Sequence, residues 1–236
     1  MSLVTCAGVS SFALSEIQLT GEANLATTLT QLPSRNSGVV AFSLPALRLN
    51  LEIPLRDNNE IFVQLESAES RDATSKRFDT QLKEAYVKFS SFLPANSELR
   101  YGLVPTFWNE LGREQWDYDF WGPTSELPQI KYNYSSWSDL GLRYQSELAN
   151  DLGFWAFTIS NGEGLESDEV GPRKQYELLL AMTKAAPFYV TLSYGQGSYD
   201  NYDPSFNEKM RAMINLSYEQ ENAMVALEYF EMKDPA

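Results

Sequence analysis

From Ile17 to Phe230 the chain repeats one pattern, short runs of alternating apolar and polar residues separated by turn residues. Leu99, Tyr101 and Leu103 alternate with Glu98, Arg100 and Gly102; Leu140, Leu142 and Tyr144 alternate with Asp139, Gly141 and Arg143. A period of two belongs to a β-strand with two unlike faces. Eleven strands are predicted: residues 16–31, 39–55, 61–65, 81–90, 98–104, a run ending near 146, a run ending at 160, then 174–183, 188–195, 208–218 and 223–230. No strong helix competes, and residues 105–136 read as one long aromatic loop.

The connections add a second pattern. Short turns follow the even strands and longer loops follow the odd ones. An outer-membrane barrel has this rhythm, with short turns on one side and long loops on the other. The strands also approach the length needed to cross a bilayer at a tilt. In a membrane barrel the apolar face meets lipid and the polar face lines the lumen, the reverse of a soluble sandwich. Alternation fits either arrangement, and the rhythm favours the barrel. The predicted fold class is therefore all-β, a porin-like antiparallel transmembrane barrel over residues 16–236. Eleven is odd, whereas single-chain bacterial barrels have even strand numbers. This implies either part of a larger, incomplete barrel or one strand that the pattern hides.

Composition removes several function classes. The net charge of −14 leaves no basic stripe to displace counterions from phosphates, so no nucleic-acid partner is expected. The absence of histidine removes imidazole-based catalysis and HExxH zinc sites. With Cys6 as the sole cysteine there is no intrachain disulfide and no thiolate metal cluster. No enzymatic activity, metal or cofactor is predicted. Residues 1–15 are apolar and small, with Ala13 and Ser15 placed as in a signal-peptide cleavage site. They read as a signal-peptide remnant or a disordered N-terminus.

Residues 82–161 resemble the phosphate-selective porin O/P family of outer-membrane porins. The similarity rests on LKEAYVKF from Leu82, then Leu99-Arg100-Tyr101-Gly102 leading to Pro105 and Phe107, then Leu140-Gly141-Leu142-Arg143-Tyr144, then the strand closing on Asn161-Gly162. The resemblance implies a signal peptide, location in a bacterial outer membrane, frequent homotrimers, and diffusive uptake of small solutes through a barrel of about sixteen strands in larger members. It does not carry over the anion preference, because no array of lumen arginines and lysines can be assembled from this acidic chain.

The expected function is an outer-membrane porin passing small hydrophilic solutes or ions through a polar lumen, with outer-membrane lipid around it. The polar positions of the strands give the pore-lining candidates Arg48, Glu52, Glu66, Glu84, Lys88, Arg100, Arg143, Glu177, Arg211 and Glu228. Charged rings near a constriction set ion selectivity. Within the long loop, Trp108, Glu110, Arg113, Trp116, Asp117 and Trp121 are candidates for a constriction or for solute contact. The competing reading of that loop is packing on the barrel rim at the membrane interface. The acidic loops around Glu163, Glu166, Asp168 and Glu169, and around Asp200 and Asp203, read as solvated carboxylates without EF-hand spacing. The alternative function is a soluble or surface-exposed β-sandwich that binds carbohydrate through its aromatic loops.

Overall fold

A chain of alternating runs joined by turns forms a meander when each run pairs with the next, and this chain does so. The structure, a computed structural model, describes residues 3–4, 10–14, 17–31, 38–69, 78–90, 92–116, 135–162, 164, 174–183, 187–198, 208–220 and 223–233. Two short strands, β1 (Leu3–Val4) and β2 (Ser10–Leu14), precede β3 (Ile17–Gln31) and β4 (Gly38–Pro54). Then come β5 (Glu60–Glu69), β6 (Phe78–Phe89), β7 (Ser97–Pro105) and a helix, α1 (Phe107–Trp116). The second half comprises β8 (Ser138–Glu147), β9 (Phe154–Ser160), β10 (Gln175–Met182), β11 (Phe188–Ser198), β12 (Glu208–Gln220) and β13 (Ala223–Lys233). From β3 onward every strand is antiparallel to its sequence neighbour in one sheet, with β1 and β2 both along the far side of β3. The sheet does not close on itself.

The all-β expectation holds, and each of the eleven long strands lies within a few residues of its predicted position. The exception is α1, which occupies the start of the stretch read as loop. Thr106 sits where an N-cap belongs, its carbonyl accepts the Glu110 N–H at 3.1 Å, and Glu110 adds an acid to the first turn. The short turns are set by Asn and Asp in the left-handed region: Asp57, Asn58, Asn96, Asn150 and Asp151 all have φ of 54–61°, which these side chains tolerate. The rhythm is shallower than predicted at its start. The six residues between β3 and β4 are no longer than the turn between β6 and β7.

The two faces of the sheet are unlike, and in the order opposite to a water-soluble domain. The face bearing α1, here the inner face, buries Arg48, Gln64, Glu66, Arg143, Thr191 and Asn215. The other, outer face exposes Leu49, Leu65, Tyr101, Leu140, Leu178, Leu192, Ile214, Leu216, Leu227 and Tyr229. Leu103 shares their face but is buried, at 7 % exposure, on a strand paired on both sides with β6 and β8. Aromatic pairs gather near the short turns: Phe89 with Phe92, Tyr144 with Trp155, and Phe188 with Tyr218, at centroid distances of 5.2–5.8 Å. Towards the longer loops stand Tyr176, stacked on Phe157, and the exposed Tyr194 and Tyr229. Aliphatic Leu180, Leu192 and Ile214 stand in one cross-strand row that ends on Trp155 and Tyr229.

Candidate functional site

Strand register decides which side chains meet. Arg48 is opposite Glu66, Gln64 opposite Glu84, and Glu52 opposite Phe62. Lys88 is opposite Arg100, and Arg100 opposite Arg143. Arg143 is opposite Thr158, Thr158 opposite Glu177, and Asn215 opposite Glu228; Gly195 links Glu177 to Arg211. Opposed residues in antiparallel strands share a face. All ten pore-lining candidates therefore lie on the inner face. Arg48, Glu66, Glu84, Arg143, Glu177 and Arg211 are buried there, while Glu52, Lys88, Arg100 and Glu228 are partly exposed.

They do not form one ring of charge. Arg48 holds Glu66 at 2.8 Å and Glu22 at 3.4 Å, and Lys83 reaches Glu66 at 3.7 Å. Lys83 and Glu84 are sequence neighbours buried together, which strict alternation forbids. A register shift between Gln64 and Leu65 opposite them accounts for it. Lys88 pairs with Glu60 at 2.9 Å. Glu84 accepts the Trp137 indole N–H at 3.2 Å. Sequence reading missed Glu22, Glu60, Lys83 and Trp137, because cross-strand partners become visible only once the register is known.

The helix supplies the centre of the site. Arg100 and Arg143 are direct cross-strand partners, and like charges so placed repel. Glu110 of α1 answers both: one carboxylate oxygen is 2.5 Å from Arg100 and the other bonds Arg143. Arg100 is also held by Glu98 at 2.7 Å. The Arg143 guanidinium lies 3.7 Å from the centre of the Phe107 ring and donates to the Pro105 carbonyl. Burial pushes the Glu110 carboxyl upward, but Arg100 and Arg143 outweigh it and hold the pKa down at about 2. Next to this pair, Gly102 faces Gly141. A Cβ on Gly102 would stand 2.3 Å from the Ala85 carbonyl oxygen, and one on Gly141 2.4 Å from that of Ile159. Only glycine allows the strands to approach so closely here.

Apolar anchors seat the rest of α1. Phe107 and Leu111 bury themselves against Ala156, Leu179 and Ala181 of β9 and β10. Trp108 reaches further, packing on Met213 and meeting Phe230 edge-on at 5.3 Å. Asn109, fully buried, donates to Thr106 at 2.6 Å and to the Ser136 carbonyl at 2.8 Å, tying the helix to the chain that returns into β8. Of the loop candidates, Trp108 and Glu110 thus stand over the inner face. Arg113 and Trp116 belong to the last turns of α1, and Asp117 and Trp121 lie outside the described residues. The acidic loop positions Glu163, Glu166, Asp168, Glu169, Asp200 and Asp203 also lie outside them.

The inner face carries hydrogen-bonding capacity that the described residues leave unused. Gln64 Oε1, Trp108 Nε1, Asn109 Oδ1, Arg143 Nε, Thr158 Oγ1, Gln175 Oε1, Thr191 Oγ1, Asn215 Oδ1 and Ser217 Oγ are buried without a partner. Every one belongs to the inner face or to α1. No protein-family model matches this chain, and a search of curated proteins finds no match either.

Proposed function

We propose that this sheet is the wall of an outer-membrane β-barrel and that the protein is a porin. A polar, water-filled passage along the inner face admits small hydrophilic solutes and ions, and α1 narrows it. The observation that carries this reading is the inversion of the two faces. Leu178, Leu192, Ile214, Leu216 and Leu227 are exposed, while Arg48, Glu66, Arg143 and Asn215 are buried. A wall between lipid and water needs this distribution, and a soluble domain avoids it. Aromatic residues on the outer face near the strand ends, such as Phe89, Phe188 and Tyr218, suit the interface of a bilayer. The unused hydrogen-bonding groups on the inner face suit a hydrated interior.

The β-sandwich alternative needs a second layer over the apolar face, and among the described residues nothing covers Leu178 or Leu227. The bilayer is the partner that such a face takes. Location in a bacterial outer membrane and assembly as a homotrimer follow from the porin resemblance and belong to the same proposal. No nucleic-acid partner or cofactor is part of it.

Refolded in detergent and added to a planar bilayer under a KCl gradient, the protein is expected to give discrete current steps. A protein that stays monodisperse in detergent-free buffer and gives no steps would end the porin reading. The outer face offers a second check. Leu192→Arg should destabilise the protein in lipid by about 2–4 kcal/mol, the cost of a cation at the lipid-facing midplane. No cost, or better solubility in water, would place that face in solvent.

A further inference from the structure

The two edges of the sheet are complementary. At one edge, β1 and β2 lie along β3 in nearly one register, with residues 5–9 between them outside the described ones. Leu3 is opposite Thr27 and Val4 opposite Ala26; Ser10 is opposite Gly21 and Leu14 opposite Ile17. From Val4 to Ser10 the chain advances six residues while β3 advances five, from Ala26 to Gly21. One extra residue is the measure of a β-bulge, so the two pieces serve as one strand. The span from Leu3 to Leu14 has the length that a tilted transmembrane strand needs. At the other edge, β13 pairs with β12 alone among the described strands. Val225, Leu227 and Tyr229 are 57–68 % exposed, against 41–47 % for Ile214 and Leu216 on β12. The sheet also bends: α1 holds β7 and β8 through Glu110 and reaches β12 and β13 through Trp108.

We infer that β1 and β2 together are a further strand of the wall, and that their far edge is the partner of β13. The inference rests on the porin reading, and it assigns residues 3–14 to the wall rather than to a removed signal peptide. Strand direction selects this partner. Each strand from β3 to β13 reverses on the one before, so β13 runs the same way as β3 and would meet it only as a parallel pair. β2 is antiparallel to β3, hence antiparallel to β13 as well. With this strand added, the count becomes even, as single-chain bacterial barrels require. The pairing also removes a cost, because in hydrocarbon an open strand edge leaves backbone N–H and C=O groups with no water to bond. The faces agree too. Register sets Phe12 opposite Leu19 and Leu14 opposite Ile17, and Leu19 and Ile17 are exposed on the outer face, as are Val225, Leu227 and Tyr229.

The test is disulfide trapping in the full chain, with Cys6→Ser removing the native thiol. Phe12→Cys is combined in turn with Val225→Cys, Leu227→Cys and Tyr229→Cys, and with Leu178→Cys of β10, exposed on the same face, as the control. Each protein is refolded in detergent, oxidised and resolved without reductant, and its channel activity is recorded in a planar bilayer. Opposed residues of paired strands stand within disulfide reach, so at least one β13 position should link within the chain at about tenfold the yield of the Leu178 control. No link at any of the three, in protein that gives current steps, overturns the inference and leaves the porin standing. Links only between chains also overturn it, in favour of a second copy at the β13 edge. A second measurement needs no substitution: the intact mass of the unaltered protein extracted from the outer membrane of a Gram-negative host. Residues 3–14 should be retained, and a chain that begins at Glu16 overturns the inference. If the unaltered protein gives no current steps, the porin reading itself fails, and the inference with it.

Discussion

The two halves of the inner face solve the same physical problem differently. Across β4–β8 buried polarity is largely ionic and largely answered within the protein, down to the single carboxylate of Glu110 set between Arg100 and Arg143, with Gln64 Oε1 and Arg143 Nε as the exceptions among the described residues. Across β9–β12 it is mostly neutral, with Thr158, Ser160, Thr191, Ser193, Asn215 and Ser217 buried. Among the described residues the partners there are fewer: Ser193 bonds Glu177 at 2.7 Å, while the hydroxyls of Thr158, Thr191 and Ser217 have none. A buried ion pair is costly to break because the survivor stays charged. A buried lone hydroxyl is costly to keep. The first half is therefore held by ion pairs, and the second leaves more of its buried hydroxyls without a partner among the described residues. The helix joins them, with its acid on the ionic half and Trp108 on the neutral one.

Mutations should affect the two halves with opposite signs. The largest effect belongs to Arg143→Ala. It leaves Glu110 half-answered, strips the cation from the Phe107 ring and frees the Pro105 carbonyl. A loss of about 3–5 kcal/mol is expected in urea unfolding from detergent micelles. A loss below 1 kcal/mol would mean that the helix does not depend on this contact. Acid should show the same contact more gently. The Glu110 pKa is depressed to about 2 from the ordinary 4.5, so its contribution is whole above about pH 4.5 and lost as pH falls towards 2. Unfolding midpoints should decline through that window, and the part of the decline due to Glu110 should be missing in Glu110→Gln.

Trp137→Phe removes the indole N–H that Glu84 accepts together with ring volume at a buried site, and should cost about 2 kcal/mol on the same assay. The smallest effect, and the one that sharpens the contrast, is Thr191→Val. It replaces a buried hydroxyl that has no partner among the described residues with a methyl, so stability should stay level or rise by up to about 1 kcal/mol. A clear loss would show that the hydroxyl has a partner and that the halves are alike.

The strands were legible because period-two alternation survives turns, bulges and variable loops. Register kept the alternating charges on one face even where β6 slips against β5, so Arg48, Arg143 and Arg211 fall together as alternation predicts. What alternation could not supply was the choice of face, because apolar-in and apolar-out write the same string. Nor could it supply partners such as Glu22 for Arg48, since opposition across strands depends on the register. The helix was hidden by its aromatic content. Phe107 and Trp108 read as loop aromatics, although Thr106 before them and Glu110 in the first turn are N-terminal helix signals, with Leu111 one turn on from Phe107. Gly112 within it weakened the helical reading further.

The bridge formed by α1 has a consequence for the order of assembly. Every pairing from β3 to β13 joins sequence neighbours, so the wall can be laid down hairpin by hairpin as the chain arrives. The edge-on contact of Trp108 with Phe230 cannot exist until β13 is in place. Its seat on Met213 waits for the strand before that. A chain interrupted before β12 would hold the Glu110 contacts of α1 and lack the Trp108 ones. The helix would then keep its Glu110 contacts and the seat of Phe107 and Leu111 on β9 and β10, and the Trp108 contacts would come later.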